Sequence, residues 1–281
     1  MPKRSAKEGF CQLTKEWGPF VDSHIVPKAL TKSEWPGVPF VEHDNDGGLP
    51  RRRWSSWYDN QLVIAKGEEQ LRNLDTWAIE ELRRVKLIWS SWGPMTQPPG
   101  VVPTSSELGW GYREIDFRDP KRLRLFFHSL LWRAAASKRR ELSDITLAPD
   151  ELERIRLAII GELELDDEFF PVSLIQISTV GEIHNNGPSR LTKEVRDWEG
   201  DPETVLYKIP FFRFYFEGLV AHLHIRGEQC DGWGPVILGR EKLTFVNTQT
   251  YELSLQRVGL ERARANAWMR HPDVMMRLKP K

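Results

Sequence analysis

Residues 21–28 read VDSHIVPK, and residues 58–68 read YDNQLVIAKGE and lead into a predicted helix. Short β-branched and apolar runs in both stretches predict two strands, with a Gly47-Gly48 loop between them. The first stretch places His24 on a strand, and the second ends on Glu68 at the entry to the helix. The predicted order of this part of the chain is therefore strand, strand, helix.

This order resembles that of the ββα-metal nucleases, which are also called HNH or His-Me finger nucleases. The resemblance implies that His24 is a neutral general base that takes a proton from the attacking water. It implies that Asn60 holds His24 in position. Glu68, together with Asp22, would hold Mg²⁺ or Mn²⁺ against the scissile phosphate. Asp22 is included because alternate residues of a strand point to the same face.

Four further stretches resemble a group of uncharacterised bacterial proteins related to HNH endonucleases. They are CQLT at 11–14, SHIVP at 23–27, LVIAKGE at 62–68 and LFFHSLLWRAAAS at 125–137. In that group a CxxC opens the chain, a Ser-His-Ile-Ile-Pro segment follows, and a second CxxC leads into Glu and a helix. The resemblance covers roughly residues 9–160 and implies a DNA endonuclease, with a role in defence against foreign DNA by association.

The chain departs from this pattern at its zinc positions. Of the four cysteines that the pattern implies, only Cys11 is present, and Thr14, Ile64 and Gly67 stand at the other three places. No structural zinc is expected, because its thiolate ligands are missing and packing must replace them. Glu68 stands where an HNH motif has its final histidine, and a carboxylate is an acceptable ligand for Mg²⁺ or Mn²⁺.

Each candidate side chain also has an ordinary structural interpretation. His24 could be a hydrogen-bonded, partly buried histidine that remains from an ancestral site. Asn60 could cap a turn at Asp59–Asn60. Glu68 could be a first-turn carboxylate favoured by the helix dipole, and the neighbouring Glu69 could equally be the acid that matters. An inactive HNH-derived module that binds nucleic acid or protein is therefore the alternative function.

Basic side chains are the candidates for phosphate contacts. Arg51, Arg52, Arg53 and Lys28 flank the two predicted strands, and they could bind a DNA backbone or form a solvated basic surface. Arg133 lies in an otherwise apolar stretch, where an ion pair with an internal carboxylate is favoured over a phosphate contact.

Two histidines stand two residues apart late in the chain, at His222 and His224. On a strand they would share a face at metal-ligand spacing, and Cys230 is the nearest further ligand. Phosphate-binding loops of the G-x-x-x-x-G-K-[ST] type, dinucleotide fingerprints and nucleophile elbows are absent from the sequence.

Periodicity predicts an α+β protein with an N-terminal ββα-metal-like module (1–92), a helical middle (93–170) and an antiparallel C-terminal sheet with a final helix (171–281). Helices are expected at 68–87, 119–137, from 149 and at 255–269, on apolar residues spaced three and four apart. Strands are expected at 172–180, 205–209, 211–216, 219–225, 236–238 and 243–246, on β-branched and aromatic runs.

Composition bounds the partners. The 281 residues carry a formal net charge of zero, which excludes a global attraction to nucleic acid or membrane. No apolar run is long enough to span a bilayer, and the first residues lack the apolar region of a secretory signal, so a cytoplasmic protein with no membrane partner is expected. The 12 tryptophans raise a third possibility, a subunit that binds a protein partner or a second copy through a tryptophan-rich surface.

Overall fold

The computed structural model describes residues 7–31, 40–42, 51–53, 56–197, 201 and 203–278. For residues 40–42, 51–53 and 278 it describes the backbone only. The predicted Gly47-Gly48 loop therefore lies outside the described residues.

The described residues form strands and helices in the mixed order expected of the α+β class. The strands are β1 (Glu8–Phe10), β2 (Trp17–His24), β3 (Phe40–Glu42), β4 (Arg51–Arg53), β5 (Tyr58–Ile64), β6 (Val102–Ser105), β7 (Trp110–Ile115), β8 (Val172–Ile177), β9 (Asn186–Arg196), β10 (Val205–Phe216), β11 (Leu219–His224) and β12 (Thr244–Gln249). The helices are α1 (Ala65–Arg84), α2 (Pro120–Ala136), α3 (Pro149–Ile159), α4 (Leu255–Arg270) and α5 (Pro272–Leu278).

The N-terminal sheet has the order β1-β2-β5, with both pairs antiparallel. Strand β5 continues directly into α1, so two paired strands are followed at once by a helix. The pairing of β2 with β5 is irregular, because three residues of β5 (60–62) lie opposite the single residue Asp22. This bulge changes which side chains share a face on the two strands.

Helix α1 buries the predicted stripe of Leu71, Leu74, Ala78 and Leu82. It begins at Ala65, three residues before the predicted start, and no side chain caps its first turn. The early start was not recognisable from sequence, because strand and helix meet without a capping residue or a turn.

Helices α2 and α3 begin close to their predicted starts at residues 119 and 149. The Asp119 side chain accepts a hydrogen bond from the backbone N–H of Arg122 at 2.9 Å, and Pro120 occupies the first helical position. At α3 the Glu151 carboxylate accepts from the N–H of Ala148 at 2.8 Å, before Pro149.

The second sheet has seven strands in the order β6-β7-β12-β8-β11-β10-β9. It was predicted to be antiparallel, and this is wrong for one pair, because β12 runs parallel to β8. Two of its strands, β6 and β7, come from the segment that was assigned to the helical middle, so the sheet crosses the predicted boundary at residue 170. The strand predicted at 236–238 is also wrong, because a 3₁₀ helix occupies Gly234–Val236 and leaves a single bridge between Ile237 and Ser173.

One apolar core extends from Cys11 in the N-terminal sheet to Val246 in β12. Helix α2 contributes Phe126 and Phe127 to it, and the Phe127 ring stacks on that of Phe216 at a centroid distance of 6.5 Å. One face of the seven-stranded sheet is therefore covered by helices. Among the described residues no helix is long and apolar enough to cross a membrane.

Candidate functional site

His24 is the last residue of β2 and is half-buried. It pairs with Tyr58 of β5, and the two rings are tilted with their centroids 6.1 Å apart. Its backbone carbonyl accepts a hydrogen bond from Arg133 Nη1 at 3.2 Å. Among the described residues none donates to or accepts from the imidazole ring.

Arg133 lies directly behind His24 and makes a bidentate ion pair with Asp75 of α1. Nη1 lies 3.0 Å from Oδ2 and Nη2 lies 2.5 Å from Oδ1. The Arg133 side chain is only 2% exposed, against 15% for Asp75. The internal carboxylate predicted for Arg133 is therefore Asp75, and the pair ties α2 to α1 and to the end of β2.

Glu68 lies in the first turn of α1, close to the same ion pair. Its Oε2 atom is buried and has no hydrogen-bond partner. Burial raises the pKa of the Glu68 carboxyl group, while Arg133 opposes this shift. The Ser23 hydroxyl approaches closely enough to lower that pKa, although its geometry falls short of a hydrogen bond and its oxygen is likewise buried without a partner.

The charges around His24 favour its neutral form. Burial lowers the pKa of His24, and Lys28 and Arg133 lower it further. Asp22 and Asp75 act in the opposite direction without restoring the ordinary value. At neutral pH the ring is therefore an unprotonated base, which is the state that general-base catalysis requires.

Asp22 is exposed and stands at the bulge, opposite residues 60–62. It is near enough to His24 to affect the pKa of that ring. The extra residues of the bulge lie in β5, and along β2 the buried Ser23 stands between the exposed Asp22 and the half-buried His24, in line with the predicted alternation. Within the described part of the chain, no group of three His, Cys, Asp or Glu side chains is arranged to hold a metal ion.

Asn60 is exposed and lines a recess of about 240 Å³ in which His24 takes no part. Gln12, Lys138 and Arg139 are among its other lining residues. The turn cap that was considered for Asn60 is made by its neighbour Asp59, whose Oδ1 accepts the N–H of Gln61 at 2.8 Å. The structure therefore does not bring Asn60 into one pocket with His24.

The four positions where the related pattern has cysteines lie at the start of β1–β2 and of α1. The N–H of Thr14 donates to Cys11 Sγ at 3.4 Å, and a Cβ atom on Gly67 would lie 2.9 Å from the same sulfur. Cys11 and Ile64 are both buried in the apolar core. Thr14 and Gly67, two of the positions where the pattern has cysteine, thus both lie next to the Cys11 thiol.

The predicted phosphate-binding residues are only partly described. Lys28 is exposed in a short 3₁₀ helix, Lys28–Leu30, and lies near His24. Arg51, Arg52 and Arg53 form β4, which pairs with β3, but their side chains lie outside the described residues.

His222 and His224 lie on β11, with ring centroids 6.3 Å apart. His224 Nε2 shares a hydrogen bond with Ser173 Oγ at 2.9 Å, and no metal group forms there among the described residues. The sequence interpretation missed their neighbour Arg213, which stands directly opposite His222 on β10. Alternation along β10 predicts that residues 209, 211 and 213 share one face. That residue 213 stands opposite His222 follows only from the register of β10 against β11.

Two side-chain oxygens, Glu68 Oε2 and Ser23 Oγ, are the candidate ligands for a metal ion at this site. Both are buried without partners and close to each other, which suits a small hard cation that draws its remaining ligands from water and phosphate.

No protein-family model, curated protein or solved structure matches this chain. The site is therefore interpreted from its own geometry.

Proposed function

We propose that this protein is a divalent-metal-dependent, HNH-like DNA endonuclease with His24 as its general base. One observation carries the proposal. A half-buried imidazole without a hydrogen-bond partner among the described residues, with its pKa lowered by burial, stands at the end of a strand–strand–helix unit. Glu68, whose buried Oε2 atom has no hydrogen-bond partner, lies close to the Arg133–Asp75 ion pair behind His24.

The roles follow from the positions of the side chains. His24 takes the proton of the attacking water on an unprotonated ring nitrogen and releases it to solvent after the phosphodiester bond has broken. Arg133 holds the backbone of His24 in place through its carbonyl, while Asp75 neutralises the guanidinium charge. Because the Arg133–Asp75 pair is closed, its charge does not compete for the substrate phosphate.

A divalent cation would be held by Glu68 with Ser23, and the exposed Asp22 is the remaining carboxylate near His24. When bound, such a cation supplies positive charge to the scissile phosphate and to the leaving oxygen. Mg²⁺ commonly uses one or two protein carboxylates and completes its shell with water and phosphate oxygens, so a three-ligand protein group is not required.

DNA is the proposed substrate because the cationic side chain of Lys28 lies near His24, and three arginines lie between β2 and β5 in the chain. Lys28 is exposed beside the ring, and Arg51, Arg52 and Arg53 lie in the strand pair between β2 and β5 in the chain. Their charge would bind the phosphate backbone without reading its sequence. The role in defence against foreign DNA rests on the sequence resemblance alone.

The alternative function is an inactive, HNH-derived module that binds nucleic acid or protein. It is favoured by Asn60, which lines a recess separate from His24. The version that docks a protein through tryptophans has less support in the described part of the chain, where only Trp17 and Trp268 are exposed and Trp89, Trp92 and Trp132 are buried.

The test is nicking of supercoiled plasmid in Mg²⁺ or Mn²⁺ by the purified protein. His24→Ala should lower the rate by a factor of about 10² to 10⁴, as loss of a general base does. Glu68→Gln should lower it and shift the metal dependence to higher concentration. Glu69→Gln is the matched control, because this neighbouring acid is exposed and should leave nicking unchanged.

Two results would count against the enzyme. A folded wild-type protein that shows no metal-dependent nicking would favour the inactive module. Nicking that persists in His24→Ala would assign the activity to a contaminant or to a different site.

A further inference from the structure

The seven-stranded sheet has a second face, which Trp89 and Tyr251 cover around Ile177 and which the long helix α2 does not cover. A cleft of about 470 Å³ lies on it, and all seven strands contribute lining residues, from Thr104 of β6 to Lys193 of β9. The core residues of the same strands, such as Leu223 and Phe212, alternate with the cleft residues and point to the helical side. The volume is that of a pocket for one small molecule.

Aromatic rings form the walls of this cleft. At one end Tyr112 and Phe245 stack at a centroid distance of 5.3 Å, with 23° between their planes. At the other end Phe211 lies 4.2 Å from the His222 ring, and Trp233 packs edge-on against His224 at 4.9 Å. Flat apolar surfaces facing a common space suit a planar ligand that stacks on them.

Neutral polar groups lie between the aromatic walls. His224 is 3% exposed, and its Nδ1 atom is buried without a partner while Nε2 contacts Ser173. No described residue makes a hydrogen bond to the His222 ring. Burial lowers the pKa of His222 to about 3 and that of His224 to about 4, so both rings are uncharged at neutral pH. Each neutral imidazole offers one donor and one acceptor, as the edge of a heteroaromatic base does.

Two cations stand beside these rings without an acidic partner. Arg213 is partly buried directly opposite His222, and Lys193 is exposed at the mouth of the cleft. Among the described residues neither makes an ion pair or a side-chain hydrogen bond, and no carboxylate lines the cleft. A partly buried guanidinium with no counter-charge is costly, so an anion from outside would stabilise it.

We propose that this cleft binds a nucleoside monophosphate. The base would stack on the rings at one end of the cleft, those of Phe211 and Trp233, with its polar edge toward His222 and His224, and the phosphate would lie between Arg213 and Lys193. Aromatic surface, neutral hydrogen-bonding groups and unpaired cations occur together here, and a nucleotide matches all three. The inference is independent of the endonuclease proposal, because it uses none of the same residues.

Isothermal titration calorimetry of the full chain with the 5′-monophosphates of adenosine, guanosine, cytidine and uridine tests the proposal. At least one should bind in a 1:1 ratio, and its nucleoside should bind at least about tenfold more weakly because the phosphate contacts are lost. Inorganic phosphate alone should give no saturable heat up to about 1 mM, since a ligand without a base has no stacking surface.

Two variants and one control locate the binding. Arg213→Gln and Lys193→Ala should each weaken binding about tenfold. Lys208→Ala should leave it unchanged, because Lys208 lies on the same sheet but points away from the cleft and pairs with Glu194 at 3.3 Å. Lys193 is exposed, so its variant keeps the test valid even if Arg213→Gln fails to fold.

Three results would overturn the proposal. The first is no heat from any of the four monophosphates with folded protein. The second is equal affinity in the wild type and in Lys193→Ala. The third is binding of a single-stranded hexathymidylate when no monophosphate binds, since this would make the sheet a surface for nucleic-acid strands instead of a nucleotide pocket.

Discussion

The N-terminal unit around His24 and the open face of the seven-stranded sheet handle charge in opposite ways. At the N-terminal unit the buried cation Arg133 has its own carboxylate, Asp75, within the fold. On the sheet face Arg213 and Lys193 have no such partner among the described residues. The aromatic content differs as well, because rings line the sheet cleft, whereas His24 has one tilted ring, Tyr58, beside it.

This difference separates the two kinds of site. Around His24 the fold has balanced its charges, so what remains available is a neutral base and one carboxylate oxygen, which suits chemistry on a bound phosphate. On the sheet face the fold leaves positive charge uncompensated beside neutral rings, which suits binding without reaction. The predictions below test this contrast, beginning with the largest expected effect.

Breaking the internal ion pair should cost the most. Arg133→Met leaves Asp75 with an uncompensated charge and removes the donor to the His24 carbonyl. Loss of one partner of a buried pair typically costs about 3–5 kcal/mol. Urea unfolding at pH 7 measures this change in the free energy of unfolding.

The control is an exposed ion pair between an arginine and a carboxylate. Arg264→Met removes the partner of Glu182, where both side chains are more than half exposed, and should cost less than about 1 kcal/mol. A small cost for Arg133→Met as well would mean that Asp75 is solvated and that the unit is not held together as described.

Much of the local structure could be predicted from the sequence, because its signals are local. The apolar residues spaced three and four apart gave the positions of α1, α2 and α3 within a few residues. Strands β6 and β7 were missed because they follow a proline-rich loop, and β9 was missed because charged and polar residues interrupt its few apolar ones. The parallel pairing of β8 with β12 depends on strand order, which no local pattern carries.

The candidate sites show the same division. His24, Glu68 and the partner of Arg133 could be approached from residue type and spacing. The separation of Asn60 from His24 could not, because it follows from a bulge that inserts extra residues into β5. Nor could the pairing of Arg213 with His222, which exists only once β10 and β11 are in register.

Acid should destabilise the sheet face through its buried imidazoles. The folded-state pKa of His224 is about 4, below the ordinary histidine value, so the unfolded chain gains a proton first as pH falls below about 6.5. This group alone should remove about 2 kcal/mol of stability by pH 5, and the loss should level off below pH 4.

Urea unfolding of His224→Gln across pH 7 to 4 checks this contribution. The variant keeps a hydrogen-bonding group beside Ser173 but cannot be protonated, so its stability should fall less steeply than that of the wild type. His24→Gln is the matched comparison and should change the slope less, because His24 is only half-buried. Equal slopes for the wild type and His224→Gln would mean that His224 is solvated.

The buried thiol of Cys11 should resist a single added methyl group. In Gly67→Ala the new Cβ would lie 2.9 Å from Cys11 Sγ, so we expect a loss of about 1 kcal/mol despite the better helix propensity of alanine. Gly259→Ala in α4 meets nothing within 4 Å and should stabilise instead. In a Cys11→Ala background the penalty at residue 67 should shrink to what the remaining contact with Val63 Cβ at 3.2 Å causes, which thermal melts of the double variant would show.

The smallest change in stability is expected from substituting Glu68, and the informative result is whether Tm rises or falls. The folded-state pKa of this carboxyl is raised by burial, so its ionised form costs stability at pH 7, and this cost disappears as the pH falls below the ordinary carboxyl range. Glu68→Gln should therefore leave Tm unchanged or raise it by less than about 2 °C at pH 7, and the gap to the wild type should close by pH 4. Glu69→Gln should lower Tm slightly, because it removes the exposed ion pair with Arg72 at 3.8 Å. A marked loss of stability in Glu68→Gln would make Glu68 a structural acceptor, whereas a neutral or stabilising change combined with lost nicking is what a carboxylate kept for function produces.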